Sequence, residues 1–193
     1  MYPITLDLKN KPVLIIGAGK VGERKILAVN NAGANVTVLS DTFSDSFRKL
    51  AQRKNIRLIE RSYQQGDCSG YFMVIGSTDD ADTNLLISLE CTKLGILVNI
   101  VDNPELCSFF VPAVVQRFDF QIAVSTGGKS PALAREIRKE LEELYGEMYG
   151  ELTGRLGKIR ETLKQKYKKN RAELSRNIEI RFKEEYHNFK KGI

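Results

Sequence analysis

The sequence predicts an α/β protein: a doubly wound parallel sheet, then a small antiparallel strand pair and a helical C-terminal region. Three observations predict it. Short apolar runs alternate with helix-length segments through roughly the first 100 residues, as βαβ units require. Two strand-like runs then follow each other too closely for a crossover helix. From Ser130 onward, apolar residues recur at steps of three and four.

The elements follow in order. Residues 13–16 (Val-Leu-Ile-Ile) form an apolar run ending at Gly17, the pattern of a strand buried on both faces. A helix is expected over 21–31, closed by Gly33 where a left-handed cap fits. Residues 36–39 make a second strand. A helix over 42–54 follows, with Thr42 and Asp45 at capping-box spacing. Strands at 56–59 and 72–75 come next, then a helix over 79–94 with an acidic start and Gly95 as its stop. Residues 96–101 form the fifth strand. The runs 109–115 and 118–126 leave Gln116 and Arg117 as the turn of an antiparallel pair. Ser130 can cap the next helix, and Pro131 suits its first position. Leu133, Ile137, Leu141 and Leu144 share one helical face. Leu152, Leu156, Ile159, Leu163 and Tyr167 repeat that stripe, as do Leu174, Ile178, Phe182, Tyr186 and Phe189. The expected organisation is a nucleotide-binding domain over 1–112, a strand pair and helix over 113–145, and a basic helical region over 146–193.

The chain has 193 residues, 42% hydrophobic and 28% charged, an ordinary globular balance. Its formal net charge of +6 favours an anionic partner. The excess is concentrated late: residues 133–193 hold 16 Lys and Arg against 11 Asp and Glu, while residues 1–132 hold 14 against 13. Glutamates are interleaved in that tail without an aromatic–basic platform, so no nucleic-acid partner is expected. Cys68, Cys91 and Cys107 are widely spaced, which argues against a disulfide framework and for a reducing cytoplasm. The only histidine, His187, excludes a histidine-built metal site or a Ser-His-Asp triad, and no metal site is expected. The first ten residues lack the apolar core of a secretion signal. The apolar stretch 12–19 falls far short of the ~20 residues that cross a membrane.

The best-defined motif is Gly17-Ala18-Gly19-Lys20-Val21-Gly22, a G-x-G-x-x-G between a predicted strand and a predicted helix. In this Rossmann-type context Gly17 permits the tight turn, Gly19 lets the backbone approach a pyrophosphate, and Gly22 lets helix and strand pack closely. The free amides of the helix start, from Lys20 and Val21 onward, then hold the phosphates. Asp41 lies 19 residues past Gly22, where a carboxylate bonds a ribose 2′-hydroxyl and repels a 2′-phosphate, favouring NAD over NADP. Asp41 also reads as a solvated loop acid, with Ser40 or Thr42 serving in its place. Ser77 and Thr78 end the fourth strand on the ligand-gathering edge, and equally suit capping of the next helix. Asp102 follows the fifth strand: it is a proton acceptor beside the nicotinamide, or a turn former before Asn103-Pro104. Ser125, Thr126, Gly127, Gly128 and Lys129 make a second glycine-rich turn into a helix start. That turn is an anion cradle for a carboxylate-bearing substrate or a hinge.

Together these pieces resemble the precorrin-2 dehydrogenase / sirohydrochlorin ferrochelatase family. The matching stretches are Tyr2-Pro3-Ile4, residues 17–25, Ser77-Thr78-Asp79-Asp80, Val101-Asp102-Asn103-Pro104 with Phe109-Phe110-Val111-Pro112-Ala113, and residues 125–135. They run in family order from residue 2 to about 145. The family often reads G-G-G-x-V-A in the first loop, from which Ala18 and Gly22 depart toward the ordinary dinucleotide motif. The resemblance implies an NAD-dependent oxidoreductase that converts precorrin-2 to sirohydrochlorin in siroheme biosynthesis, as a homodimer. It implies that Asp102 is the important acid, acting in dehydrogenation and, in bifunctional members, in insertion of Fe2+. The anionic tetrapyrrole would give the basic tail and the second glycine turn a partner. Some large homologues carry a fused methyltransferase domain, for which this chain is too short. The rival reading is an NAD-sensing regulatory domain without catalysis, which leaves the second glycine turn and the helical tail unexplained.

Overall fold

The computed structural model describes residues 1–191, without the side chains of Lys20 and Val21. It divides into two compact units, Met1–Val111 and Pro112 onward.

The first unit is a five-stranded parallel sheet. Strand β1 (Pro12–Ile16) leads through helix α1 (Lys20–Asn31) to β2 (Asn35–Ser40), and α2 (Asp45–Lys54) leads to β3 (Arg57–Glu60). Then β4 (Met73–Gly76), α3 (Ala81–Leu94) and β5 (Leu97–Ile100) complete it. The strand order is β3-β2-β1-β4-β5, every neighbouring pair parallel. Chain direction across the sheet therefore reverses between β1 and β4, and the crevice outside that junction is where ligands bind in such folds. Val13, Ile15, Val36, Val38, Met73 and Ile75 build the core on one face of the sheet, with Ile26, Val29, Phe43, Phe47 and Ala51 of the helices and loops. Leu14, Ile16, Leu39, Val74, Val98 and Ile100 build the other, with Ile87 and Cys91 of α3. Strands covered on both faces explain why they read as continuous apolar runs.

Two helix starts differ from expectation. The second helix begins at Asp45, because the Ser44 hydroxyl accepts the Phe47 amide at 3.2 Å while Phe43 turns into the core. The third begins at Ala81, because the Asp80 carboxylate takes the cap and accepts the amides of Asp82 and Thr83. Gly95, the expected stop of that helix, caps it in the left-handed region.

No helix joins β3 to β4. The intervening loop winds instead around two acids. Asp67 forms a two-pronged pair with Arg61 at 2.7 and 2.6 Å and accepts the Gln64 amide. Buried Glu90 of α3 accepts the Tyr63 hydroxyl and the amides of Gly66 and Cys68, both at 3.0 Å.

The second unit holds the antiparallel pair and three helices. The strands are β6 (Ala113–Arg117) and β7 (Phe120–Val124), turning at Phe118 and Asp119 rather than at Gln116 and Arg117. Phe118 occupies the left-handed region (φ +52°), which places the reversal two residues later than the apolar pattern suggests. Residues 109–112 are not strand. Ser108 and Phe109 instead bond along β5, through Val98 and the Asn99 amide. Helix α4 (Pro131–Leu144) starts as expected, with Ser130 accepting the Leu133 amide. Arg117 donates to the Tyr145 and Glu142 carbonyls at 3.0 and 3.1 Å, satisfying groups that the end of α4 leaves open. Helices α5 (Glu147–Lys166) and α6 (Arg171–Lys191) pack through Tyr149 against Phe189, edge to face at 4.9 Å. A Cβ at Gly150 would meet the Arg117 carbonyl oxygen at 2.5 Å, so only glycine lets α5 approach the hairpin turn.

Candidate functional site

The glycine loop, Ser77, Asp41 and Asp102 all lie at the carboxyl ends of the parallel strands. Gly17 follows β1 with φ +102°, and its amide donates to the Leu39 carbonyl at 2.8 Å. A Cβ there would stand 2.5 Å from the Ser77 carbonyl oxygen, so the loops after β1 and β4 close on each other only over glycine. At Gly22 a Cβ would meet the Gly17 carbonyl oxygen at 2.8 Å, the close helix–loop packing expected of the third glycine. At Gly19 a Cβ would find no atom within 4 Å beyond its chain neighbours, and among the described residues no side chain caps the first turn of α1. An open glycine beside uncapped amides is the cradle that a diphosphate needs. Of Lys20 and Val21 only the backbone, the first two residues of α1, is described, their side chains lying outside the described residues.

Ser77 holds this junction together. Its amide donates to the Ile16 carbonyl at 2.8 Å, and its hydroxyl donates to the carbonyls of Ile16 and Gly17 at 3.1 Å. Thr78 bonds Asn84 and the Asp80 carbonyl. Neither residue caps α3, a place taken by Asp80. The Asp41 carboxylate stands exposed just past β2, where one oxygen accepts the Ser62 hydroxyl at 2.6 Å and the other has no hydrogen-bond donor among the described residues. Thr42 beside it is exposed.

Asp102 is exposed and sits two residues past β5 in the left-handed region (φ +58°), a conformation that Asp and Asn tolerate better than most residues. The Val101 amide, bonded to the Gly76 carbonyl at 2.9 Å, ties this turn to β4. Beneath it is a polar cluster that sequence reasoning did not assign. Lys25 of α1 donates to Asn99 Oδ1 at 3.0 Å, and Asn99 Nδ2 donates to the Phe109 carbonyl at 3.0 Å. Cys107 Sγ accepts from the Ile100 amide at 3.2 Å. Burial pushes the Lys25 ammonium below the ordinary lysine range, opposed by the Cys107 and Asp102 side chains. Burial likewise pushes the Cys107 thiol up. One signal was available: Asn99 is a polar residue inside an otherwise apolar strand, and buried polar groups require partners.

Residues 125–129 lie in the second unit and form a self-bonded turn. Ser125 Oγ accepts the Gly127 amide at 3.2 Å, Thr126 Oγ1 accepts the Ser130 amide at 3.0 Å, and the Thr126 carbonyl accepts the Lys129 amide. Gly127 and Gly128 both have positive φ, and Lys129 is exposed. Much of the donor set imagined for an anion is thus engaged within the turn, leaving Lys129 as its free charge. Among the described residues no group of three His, Cys, Asp or Glu could hold a metal ion, and no helix is long and apolar enough to cross a membrane.

Comparison with known proteins agrees with this arrangement. Residues 117–144 match the family described as sirohaem biosynthesis protein central. The siroheme synthases of Methylobacillus flagellatus and Methylococcus capsulatus are each 38% identical, over 86% and 88% of this chain. Those matches cover 35% and 36% of the relatives, so the chain spans about a third of their length. Among solved structures, "SirC, precorrin-2 dehydrogenase" superposes with a TM-score of 0.76 at 24% identity, over 99% of this chain and 100% of that one, and so shares its fold. Residues 4–113, more than half of the chain and all of the sheet that carries the glycine cradle, match the family described as putative NAD(P)-binding, and the chain belongs to that family.

Proposed function

We propose that this chain is an NAD-dependent oxidoreductase that converts precorrin-2 to sirohydrochlorin. The observation that carries this reading is the pairing, on the carboxyl edge of one sheet, of a glycine-built diphosphate cradle after β1 with an exposed acid, Asp102, held in a left-handed turn after β5, two strands away. The siroheme synthase relatives supply the substrate class.

When bound, NAD+ supplies the hydride acceptor. The amides of the first turn of α1 hold its diphosphate over Gly19. Asp41 accepts from the ribose diol, and its charge disfavours a 2′-phosphate, which selects NAD over NADP. As the reduced macrocycle gives up a hydride, an Asp102 carboxylate oxygen takes the accompanying proton, so that two electrons and two protons leave the substrate in all. Lys25, anchored on Asn99, lies close enough for the Asp102 carboxylate to favour its charged form against the opposing effect of burial. Lys129 and the basic helices attract the polycarboxylate ring.

We assign residues 113–145 to a homodimer contact and to substrate, with 146–193 as its basic helical extension. Three free thiols fit the reducing cytoplasm. The test is anaerobic incubation with precorrin-2 and NAD+, following NADH. Wild type is expected to form it, while Asp102→Asn, which keeps the left-handed turn, loses about 100-fold or more in kcat with NAD+ affinity unchanged. Equal turnover in the variant would remove the proton role. Binding of NAD+ without NADH formation would favour the sensor reading. Adding Fe2+ to the product tests chelation by the same carboxylate.

A further inference from the structure

Helix α3 has two apolar faces. Its inner face, with Ile87 and Cys91, packs on the sheet. Its outer face leaves Leu85, Leu86 and Leu89 at 44, 50 and 58% exposure, with Leu94 beyond them at 48%. Exposed leucines in this number on one helix mark a surface that another body covers.

The pattern of the outer face says what that body is. Asp82, Leu86, Leu89 and Lys93 are spaced four, three and four apart, which keeps them within about 60° of arc on one side of the helix. All four are exposed. The sequence of this stripe is its own complement when reversed: acid, leucine, leucine, base. A twofold axis passing between Ile87 and Ser88 lays Leu86 against a second chain's Leu89 and Leu89 against its Leu86. The same axis sets Asp82 opposite Lys93 at both ends. Among the described residues, neither the Asp82 carboxylate nor the Lys93 ammonium has an ion-pair partner within the chain. Beside the stripe runs a mostly apolar groove of about 330 Å³, lined by Leu86, Leu89, Lys93 and Leu94 with Gly66 and Ser69 of the β3–β4 loop. It has room for a leucine side chain from the facing helix. Glu90 also borders it, but that carboxylate is already bonded to Tyr63, Gly66 and Cys68 and is not a waiting ligand.

We infer that the outer face of α3 is a self-association surface that pairs antiparallel, across a twofold axis, with the same helix of a second copy. An isologous contact of this kind needs one patch that is complementary to itself. It is distinct from the homodimer contact assigned to residues 113–145, because it lies wholly on the nucleotide-binding unit.

The test is sedimentation of the full chain over a concentration series, with circular dichroism confirming that each variant is folded. Wild type is expected to associate reversibly into a species of twice the mass of its building block. Leu86→Gln with Leu89→Gln should weaken that step at least about 100-fold, since each leucine is worth roughly tenfold. Asp82→Lys alone and Lys93→Asp alone should each weaken it through like-charge contacts. An equimolar mixture of those two variants should associate again, because every pair in the mixed species is then opposite in sign. A wild-type mass unaffected by the leucine changes would overturn the proposal. So would a mixture that associates no better than its components. If wild type showed no such step while the leucine variant lost thermal stability, the face would be covered within one chain, again overturning it. A variant that stays dimeric locates the remaining contact elsewhere, so the fate of the 113–145 assignment is read separately.

Discussion

Replacing Gly19 by threonine separates the grip on a diphosphate from the stability of the fold. The residue has ordinary extended backbone (φ −69°, ψ 172°), and among the described residues no atom beyond its chain neighbours lies within 4 Å of the position its Cβ would take. Threonine is also a good N-cap, so the variant should fold with a stability within about 1 kcal/mol of wild type. Its side chain nevertheless fills the space in which a diphosphate would meet the first-turn amides. Loss of even one charge-assisted bond to a phosphate, about 1.5–3 kcal/mol, weakens NAD+ binding roughly 10- to 100-fold. Gly17→Ala is the contrasting control. There the Cβ lands 2.5 Å from the Ser77 carbonyl oxygen at φ +102°, so backbone strain and overpacking together cost about 2–5 kcal/mol. At about 2–4 °C per kcal/mol for a chain of this size, Tm should fall by roughly 4–20 °C. Calorimetry of NAD+ binding beside thermal melts reads both effects. A Gly19→Thr protein that melts like wild type and also binds NAD+ like wild type would refute the cradle.

Three further outcomes are expected. Asp41→Asn should narrow the preference for NAD+ over NADP+ by about tenfold, measured as the ratio of dissociation constants, because the 2′-phosphate no longer meets a carboxylate. Glu90→Ala leaves the Gly66 and Cys68 amides and the Tyr63 hydroxyl without their acceptor. It should cost about 3 kcal/mol or more, seen as a Tm lower by roughly 6–12 °C. The Arg61 guanidinium holds the Asp67 carboxyl below its usual range. A lowered acid stabilises the fold above its ordinary pKa, and that contribution disappears as pH falls through the lower folded value. Arg61→Ala should therefore be less stable than wild type at pH 7, with the gap closing as pH falls below the ordinary Asp value of about 3.9 in acid denaturation curves.

Much of the site was legible because its signals are local. The spacing of Gly17, Gly19 and Gly22 between an apolar run and a helix, and the step on to Asp41, are properties of one βαβ stretch, and the structure puts all four on the expected edge. Element ends were less legible where short side chains compete to bond the same backbone. Ser44 and Asp80 cap helices that were expected to begin at Thr42 and Asp79. The hairpin turn moved to Phe118 because a left-handed phenylalanine carries no sequence signature, unlike a glycine. The cluster beneath Asp102 was not legible at all. Lys25 and Asn99 stand 74 positions apart, and only the packing of α1 over the sheet brings them into contact.

The order of residues along this chain, taken alone, determined the parallel α/β architecture, the glycine turn between β1 and α1 and the acids at the strand ends. Each of these follows from short-range periodicity and from steric limits within a few residues. Tertiary packing decided the strand order β3-β2-β1-β4-β5, the meeting of Gly17 with Ser77, the Lys25–Asn99 anchor and the capping of α4 by Arg117. Those contacts join segments far apart in the chain, and their distances are set by how whole helices seat on the sheet or the hairpin, a geometry that no local pattern of residues records.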